Sequence, residues 1–228
     1  MRDALDRIVS PVGRLGPRSA ASLIGFAVPA DRAPADRPAQ PPEHPALLSP
    51  SAGRLIVVDL QTGLLPHVAD GEALAGRASL LIRGAKALGV EIRATEQAPT
   101  KLGATAEPVA AALAEAQVDP AAKTNFGAAA AVRLTEAISD SRHQVILCGV
   151  ETHVCVAQTA LELLSAGYAV QIAADACGSR RPADHEVALA RLTAEGATIT
   201  TAEAALFEWC RSAENPAFAV LRELVKQA

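Results

Sequence analysis

Aromatic side chains are scarce in this 228-residue chain: Phe, Tyr and Trp together make up 3%, with a single Trp and a single Tyr. A core must therefore come from Ala, Val, Leu and Ile, and an apolar content of 50% is enough to build one. No apolar run reaches the roughly 18 residues a membrane-spanning helix needs, so no membrane partner is expected. An excess of positive charge is also missing. Lys and Arg number 21 against 25 Asp and Glu, a net charge of −4, which leaves no electrostatic footprint for nucleic acid. Cysteines are few (Cys148, Cys155, Cys177, Cys210) and include no CxxC pair. That argues against a disulfide framework and for a reducing, cytoplasmic setting. The five histidines (His44, His67, His143, His153, His185) show no metal-ligand spacing. No G-x-G-x-x-G follows the first apolar strand, so neither a metal nor a nucleotide cofactor is expected.

Residues 1–52 differ from the rest. Nine of the fifteen prolines fall in the first fifty positions, and Asp31 to Pro50 has almost no apolar periodicity. Such a segment buries too little surface to offset its ordering entropy, so it is expected to be a disordered extension. Asp3 and Asp6 sit in the would-be basic region, and Gly25 breaks the short apolar patch Ala20 to Val28. Both weigh against a secretory signal.

From residue 53 onward the pattern is regular. Apolar runs at Leu55–Val58, Val90–Ala94, Val145–Leu147, Ala169–Ala173 and Ala197–Thr200, with a short one near Ala121–Lys123, predict six strands. Helical spacing predicts intervening helices over about Glu72–Leu88, Glu107–Ala116, Ala128–Ser139, Val154–Leu164 and Ala183–Glu195, then two final helical segments. Strands alternating with helices through short loops mean parallel pairing and right-handed crossovers. The expected fold is α/β, a three-layer α-β-α arrangement around an open six-stranded, mainly parallel, Rossmann-like sheet over residues 53–228. Ligands of such sheets bind beyond the carboxyl ends of the strands.

The polar residues predicted at those ends are informative together. Asp59 closes strand one, Glu96 and Gln97 strand two, and Lys123 strand three. Cys155 falls just after strand four, where unpaired helical N–H groups favour a thiolate and can hold a developing oxyanion. Each has a bland reading: a turn-capping Asp, a solvated Lys, a small buried Cys. An acid, a cation and a thiol on one rim are nevertheless the set that cysteine-based acyl transfer needs.

Asp59, Lys123 and Gly149-Val150-Glu151-Thr152-His153-Val154-Cys155-Val156, in that order, resemble the isochorismatase-like cysteine hydrolase superfamily. Thr95-Glu96-Gln97-Ala98-Pro99 and Asp175-Ala176-Cys177-Gly178-Ser179-Arg180 are most similar to its isochorismatase-domain-containing group. The resemblance runs from about Arg54 to the C-terminus. It implies Asp59 as general base or acid, Lys123 as positioning cation and Cys155 as nucleophile. It also implies a cis peptide at Val150–Glu151 that turns backbone N–H groups towards the oxyanion. Substrate contacts are expected from Gln97, Phe126, Glu151 and Thr152.

Two departures stand out. Zinc-binding nicotinamidases of the superfamily carry an Asp-x-His after strand two, whereas this chain reads Glu96-Gln97-Ala98-Pro99. Gly127 stands where a serine is expected, which would remove a hydroxyl from the pocket. The expected function is hydrolysis of a small amide or related C–N bond through a Cys155 thioester, on a small-molecule substrate, by a homo-oligomer. A thiol redox protein pairing Cys155 with Cys177 and a non-catalytic oligomeric member of the fold are the alternatives.

Overall fold

The structure is a computed structural model that describes residues 43–134 and 141–227. In chain order it contains β1 (Gly53–Val58), α1 (Gly71–Ala87), β2 (Glu91–Gln97), α2 (Pro99–Leu102), α3 (Val109–Glu115) and β3 (Ala121–Lys123). There follow β4 (Gln144–Val150), α4 (Ala157–Ser165), β5 (Ala169–Gly178), α5 (Pro182–Ala194), β6 (Thr198–Thr200), α6 (Ala202–Cys210) and α7 (Phe218–Lys226). The six strands form one sheet in the order β3-β2-β1-β4-β5-β6, with every pairing parallel. Helices α1, α3, α6 and α7 pack together on one face, and α4 and α5 on the other. The predicted three-layer α/β fold is therefore the observed one.

β1 and β4 are buried along their whole length, as the unbroken apolar runs of a doubly covered parallel sheet require. The core around them is mostly Leu, Ile, Val and Ala, with Trp209 (1% exposed) and Tyr168 as its buried aromatics among the described residues. Phe207 and Phe218 meet edge-on at the surface of α6 and α7, with ring centroids 6.5 Å apart.

The chain lays β1, β2 and β3 outward in one direction, then returns to place β4 on the other side of β1. The strand order thus reverses between β1 and β4. The loops leaving those two strands diverge to opposite faces and open a crevice between them. β4 comes so close behind the end of β1 that a side chain at Gly149 would lie 2.0 Å from the Val58 carbonyl oxygen. With φ at +131° as well, only glycine suits this position.

Several local expectations need correction. Of the helix expected over 128–139, residues 128–134 form successive turns instead, with Arg133 at a positive φ of 55°; residues 135–139 lie outside the described residues. β5 extends to Gly178, five residues beyond its apolar run, because three of its residues bulge out between the Leu147–Ile172 and Gly149–Cys177 pairings. Asp175 lies on that bulge and accepts the Ala202 N–H at 2.8 Å, bracing the start of α6. The extension expected over 1–52 lies outside the described residues as far as residue 42. Its last ten residues belong with the body. Leu48 is fully buried, Ser49 N–H donates to Gln144 Oε1 (2.8 Å), and Gln144 Nε2 donates to the Leu47 carbonyl (2.9 Å).

Candidate active site

Asp59 follows the last residue of β1 and is fully buried. Its φ of 54° is left-handed, a conformation Asp tolerates better than most residues with a Cβ. This turns the side chain into the crevice while its N–H donates to the Thr95 carbonyl at 3.1 Å. Thr95 Oγ1 in turn donates to Asp59 Oδ1 at 2.8 Å. The other carboxylate oxygen, Oδ2, lies 2.7 Å from Lys123 Nζ, in a pair whose side chains are 0% and 3% exposed.

Lys123 reaches Asp59 from the far edge of the sheet, at the end of β3. Its Nζ also donates to Gln97 Oε1 (2.7 Å), Phe126 O (3.0 Å) and Asn125 O (3.2 Å). A buried ammonium costs several kcal/mol unless it is paired and hydrogen-bonded throughout, and this one is. The solvated surface role open to a lysine from sequence does not apply here.

Cys155 completes the cluster. It sits on one wide helical turn, Thr152–Val156, in which the Val156 N–H reaches back five residues to the Glu151 carbonyl at 3.3 Å. The regular helix starts only at Ala157. The extra residue in the wide turn shifts the phase of α4, so Val156, Ala160 and Leu163 are buried while Val154, Leu161 and Leu164 are half-buried. The Cys155 thiol is 5% exposed and within hydrogen-bonding reach of both Asp59 and Lys123. Asp59 from β1, Lys123 from β3 and Cys155 after β4 thus converge at the point where the strand order reverses. The peptide bond Val150–Glu151 is cis.

The electrostatics differ from the expectation. Position at a helix start predicts a lowered thiol pKa, but the Cys155 thiol is pushed up to about 12. Burial is the main cause, and the adjacent Asp59 carboxylate adds to it; Lys123 opposes both. At neutral pH the resting thiol keeps its proton.

The four expected substrate contacts are placed differently from one another. The Gln97 side chain is committed inside the protein, accepting from Lys123 and donating to Thr124 O at 2.8 Å. The Phe126 ring is 52% exposed, while its carbonyl holds Lys123. Glu151 Oε1 accepts from both the backbone N–H and Nε of Arg180, each at 3.0 Å, and lines a 520 Å³ cavity with Leu64, His67 and Arg180. Thr152 is fully buried, its hydroxyl 2.8 Å from His185 Nδ1. With His153 Nδ1 2.9 Å from Ser179 Oγ, three successive side chains lace the cysteine loop to the segment after β5 (Ser179 and Arg180) and to His185 in the first turns of α5.

Sequence reading missed Gln61 and Thr95. Gln61 Oε1 accepts the Gln97 N–H at 2.7 Å, and its Nε2 donates to the carbonyls of Gln97 (3.1 Å) and Gly103 (2.6 Å). Its burial so close to Asp59 was hidden by the turn-like composition around Gly63. Glu96, the polar neighbour of Gln97, is occupied by Thr105, whose N–H and hydroxyl both donate to its Oε1 at 2.7 Å.

Gly127 does not leave a gap in the crevice. A Cβ there would lie 1.9 Å from Glu162 Oε1, and Glu162 Oε2 accepts the Ala129 N–H at 3.2 Å. The carboxylate of α4 fills the space a serine would take. Gly127→Ser is expected to displace Glu162 and cost about 1 kcal/mol. In a Glu162→Ala background most of that cost should vanish, read as non-additivity in urea denaturation.

Residues 54–204 match the family model of the isochorismatase domain. A bovine protein, isochorismatase domain-containing protein 2, is 35% identical over 186 residues, covering 81% of this chain and 89% of the relative. Among solved structures, one titled MAR1 ribonuclease from Caenorhabditis elegans aligns at 28% identity with a TM-score of 0.70, covering 78% of this chain and 92% of that one. The Escherichia coli YcaC product, described as an octameric hydrolase of unknown specificity, aligns at 25% identity with a TM-score of 0.69, covering 82% and 98%.

Proposed function

Because the chain belongs to the isochorismatase-like hydrolase superfamily, we propose that it hydrolyses a small amide or related C–N bond through a thioester on Cys155. The observation that carries this reading is the convergence of Cys155, Asp59 and Lys123 in one buried cluster. As the sulfur attacks the carbonyl carbon, its proton passes to the Asp59 carboxylate. The carbonyl electrons move to an oxyanion, held by backbone N–H groups of the wide turn, that of Cys155 among them. Collapse of the tetrahedral species breaks the C–N bond, and Asp59 returns the proton to the departing nitrogen. Water then attacks the thioester while Asp59 takes its proton. The acid leaves, and Cys155 regains its proton from Asp59. Lys123, 2.7 Å from Asp59 Oδ2, fixes the direction of that carboxylate.

The high resting pKa suits this scheme. A thiol that ionises only as a carbonyl arrives does not sit as an exposed, oxidisable thiolate. It also favours hydrolysis over a redox role with Cys177. The Cys177 thiol is itself pushed up to about 12, chiefly by burial, and lies 3.8 Å from the Leu147 carbonyl. The same proposal includes a small-molecule rather than nucleic-acid substrate, in keeping with the net charge of −4. It further includes a homo-oligomer, as YcaC is, no resident metal or cofactor, and a cytoplasmic setting. Among the described residues, no helix is long and apolar enough to cross a membrane.

A panel of small amides, followed by ammonia release and by intact mass after acid quench, tests the reading. The expected result is turnover with an acyl adduct on the Cys155 peptide, both absent in Cys155→Ser. Undiminished turnover in that variant would remove the thioester and leave acid chemistry by Asp59 alone, as vinyl-ether cleavage requires.

A further inference from the structure

Thr159 is fully buried in the first turn of α4, with no route to substrate. Its hydroxyl donates to the Cys155 carbonyl at 2.6 Å and accepts the Ala128 N–H at 2.9 Å. The first bond is common for a helical threonine, which often turns back to the carbonyl four residues earlier. The second reaches a segment 31 residues away in the chain. Ala128 comes two residues after Phe126, whose carbonyl, with that of Asn125, cradles Lys123 Nζ. One hydroxyl therefore ties the turn that carries the sulfur to the loop that holds the ammonium.

The contacts close a ring. The thiol meets Asp59, Asp59 meets Lys123, and Lys123 is held by Phe126. The chain then runs to Ala128, which is bound by Thr159, which is bound to Cys155. On the crevice side this ring consists of the reacting groups themselves. On the far side the buried closure is the Thr159 hydroxyl. Thr159 uses its donor and an acceptor lone pair at once, which no apolar residue of its shape can do. Glu162, one turn further along α4, holds the next N–H of the same loop, but from an exposed position.

We infer that Thr159 is a positioning residue that sets the separation between the Cys155 sulfur and Lys123. The inference rests on the cluster of the proposed hydrolase but not on its turnover. Thr159→Val keeps the shape and loses both bonds, so the loop and Lys123 relax away from the sulfur. Lys123 is the group that opposes the rise in the thiol pKa. The pH profile of Cys155 alkylation should therefore move up by at least half a unit, about threefold slower at a given pH below the midpoint. Hydrolysis of whichever amide the panel yields should fall about tenfold to hundredfold, in kcat rather than KM. Thr159→Ser should restore the wild-type profile, and Glu162→Gln should leave it unmoved.

A purely structural threonine would lower the unfolding midpoint of Thr159→Val without moving the profile, and an unmoved or downward-moved profile overturns the inference. Hydrogen exchange on the wild type gives a second test that needs no variant. The Ala128 amide should be protected to the level of the α4 amides, and exchange at the rate of an exposed loop overturns the clamp. If no amide is hydrolysed, the hydrolase reading falls while both of these measurements still decide the role of Thr159.

Discussion

Replacing Asp59 with asparagine is expected to move turnover and thiol reactivity in opposite directions. Asn accepts the left-handed backbone of this position and retains an oxygen for the Thr95 hydroxyl, so the fold should persist. The proposed proton acceptor is gone, and hydrolysis should fall by about 10²- to 10⁴-fold, the usual contribution of a positioned general base. The charge that helps hold the thiol protonated is gone too. Burial still raises the pKa, but Lys123 now acts on the sulfur without the carboxylate beside it. The alkylation rate at pH 8 should rise about tenfold for each unit by which the thiol pKa falls. Iodoacetamide kinetics read by peptide mass spectrometry, beside steady-state turnover, check both signs. If the two quantities fell together, Asp59 would be a packing residue and its coupling to Cys155 would be wrong.

Lys123→Met should be the more damaging change, because it injures the fold and the chemistry at once. Methionine fills a similar volume but strands the fully buried Asp59 carboxylate, along with Gln97 Oε1 and the Phe126 carbonyl. Breaking a buried ion pair on one side costs about 3–5 kcal/mol. For a domain this size that is a fall in Tm of about 10 °C. Turnover should drop by about 10²- to 10³-fold, as for loss of one preorganised electrostatic group. The Cys155 thiol, without the one charge that opposes its rise, should alkylate more slowly than in the wild type. Thermal unfolding and alkylation measured on one preparation separate these effects. A variant that kept wild-type stability would mean that Lys123 is not committed to Asp59 in the resting protein.

The opposite expected effects of Asp59→Asn and Lys123→Met on one thiol show where sequence reading stopped. That Asp59, Lys123 and Cys155 belong together was legible, because each stands at a strand end and the motif around Cys155 is specific. The alternation of apolar runs and helical spacing was enough for the six strands and for the three layers. The sign of the pKa shift was not legible, since it depends on how deeply the sulfur is buried and on which charge lies nearer. Both are consequences of long-range packing. The wide turn at Thr152–Val156 was hidden for a related reason. An extra residue per turn leaves no trace in composition and shows only as a shifted burial phase along α4. Gln61 and Thr159 escaped because a buried polar side chain in a short loop or helix looks like a solvated one until its partners are known. Thr159 did carry a signal, its place one helical turn after Cys155. Gly127 misled in the other direction, since what fills the space of a serine is a glutamate 35 residues later in the sequence.

The reversal of strand order between β1 and β4 bears on the order of events when the chain folds. Asp59 and Lys123 come from the outward run β1-β2-β3, and Cys155 comes from the returning run β4-β5-β6. Neither half contains the proposed reaction on its own. The two meet only when β4 zips alongside β1, a contact between strands about ninety residues apart in sequence and among the slower ones to form. During refolding, far-ultraviolet circular dichroism should recover before the ability to form an acyl adduct on Cys155. Intermediates with one half assembled should be chemically silent.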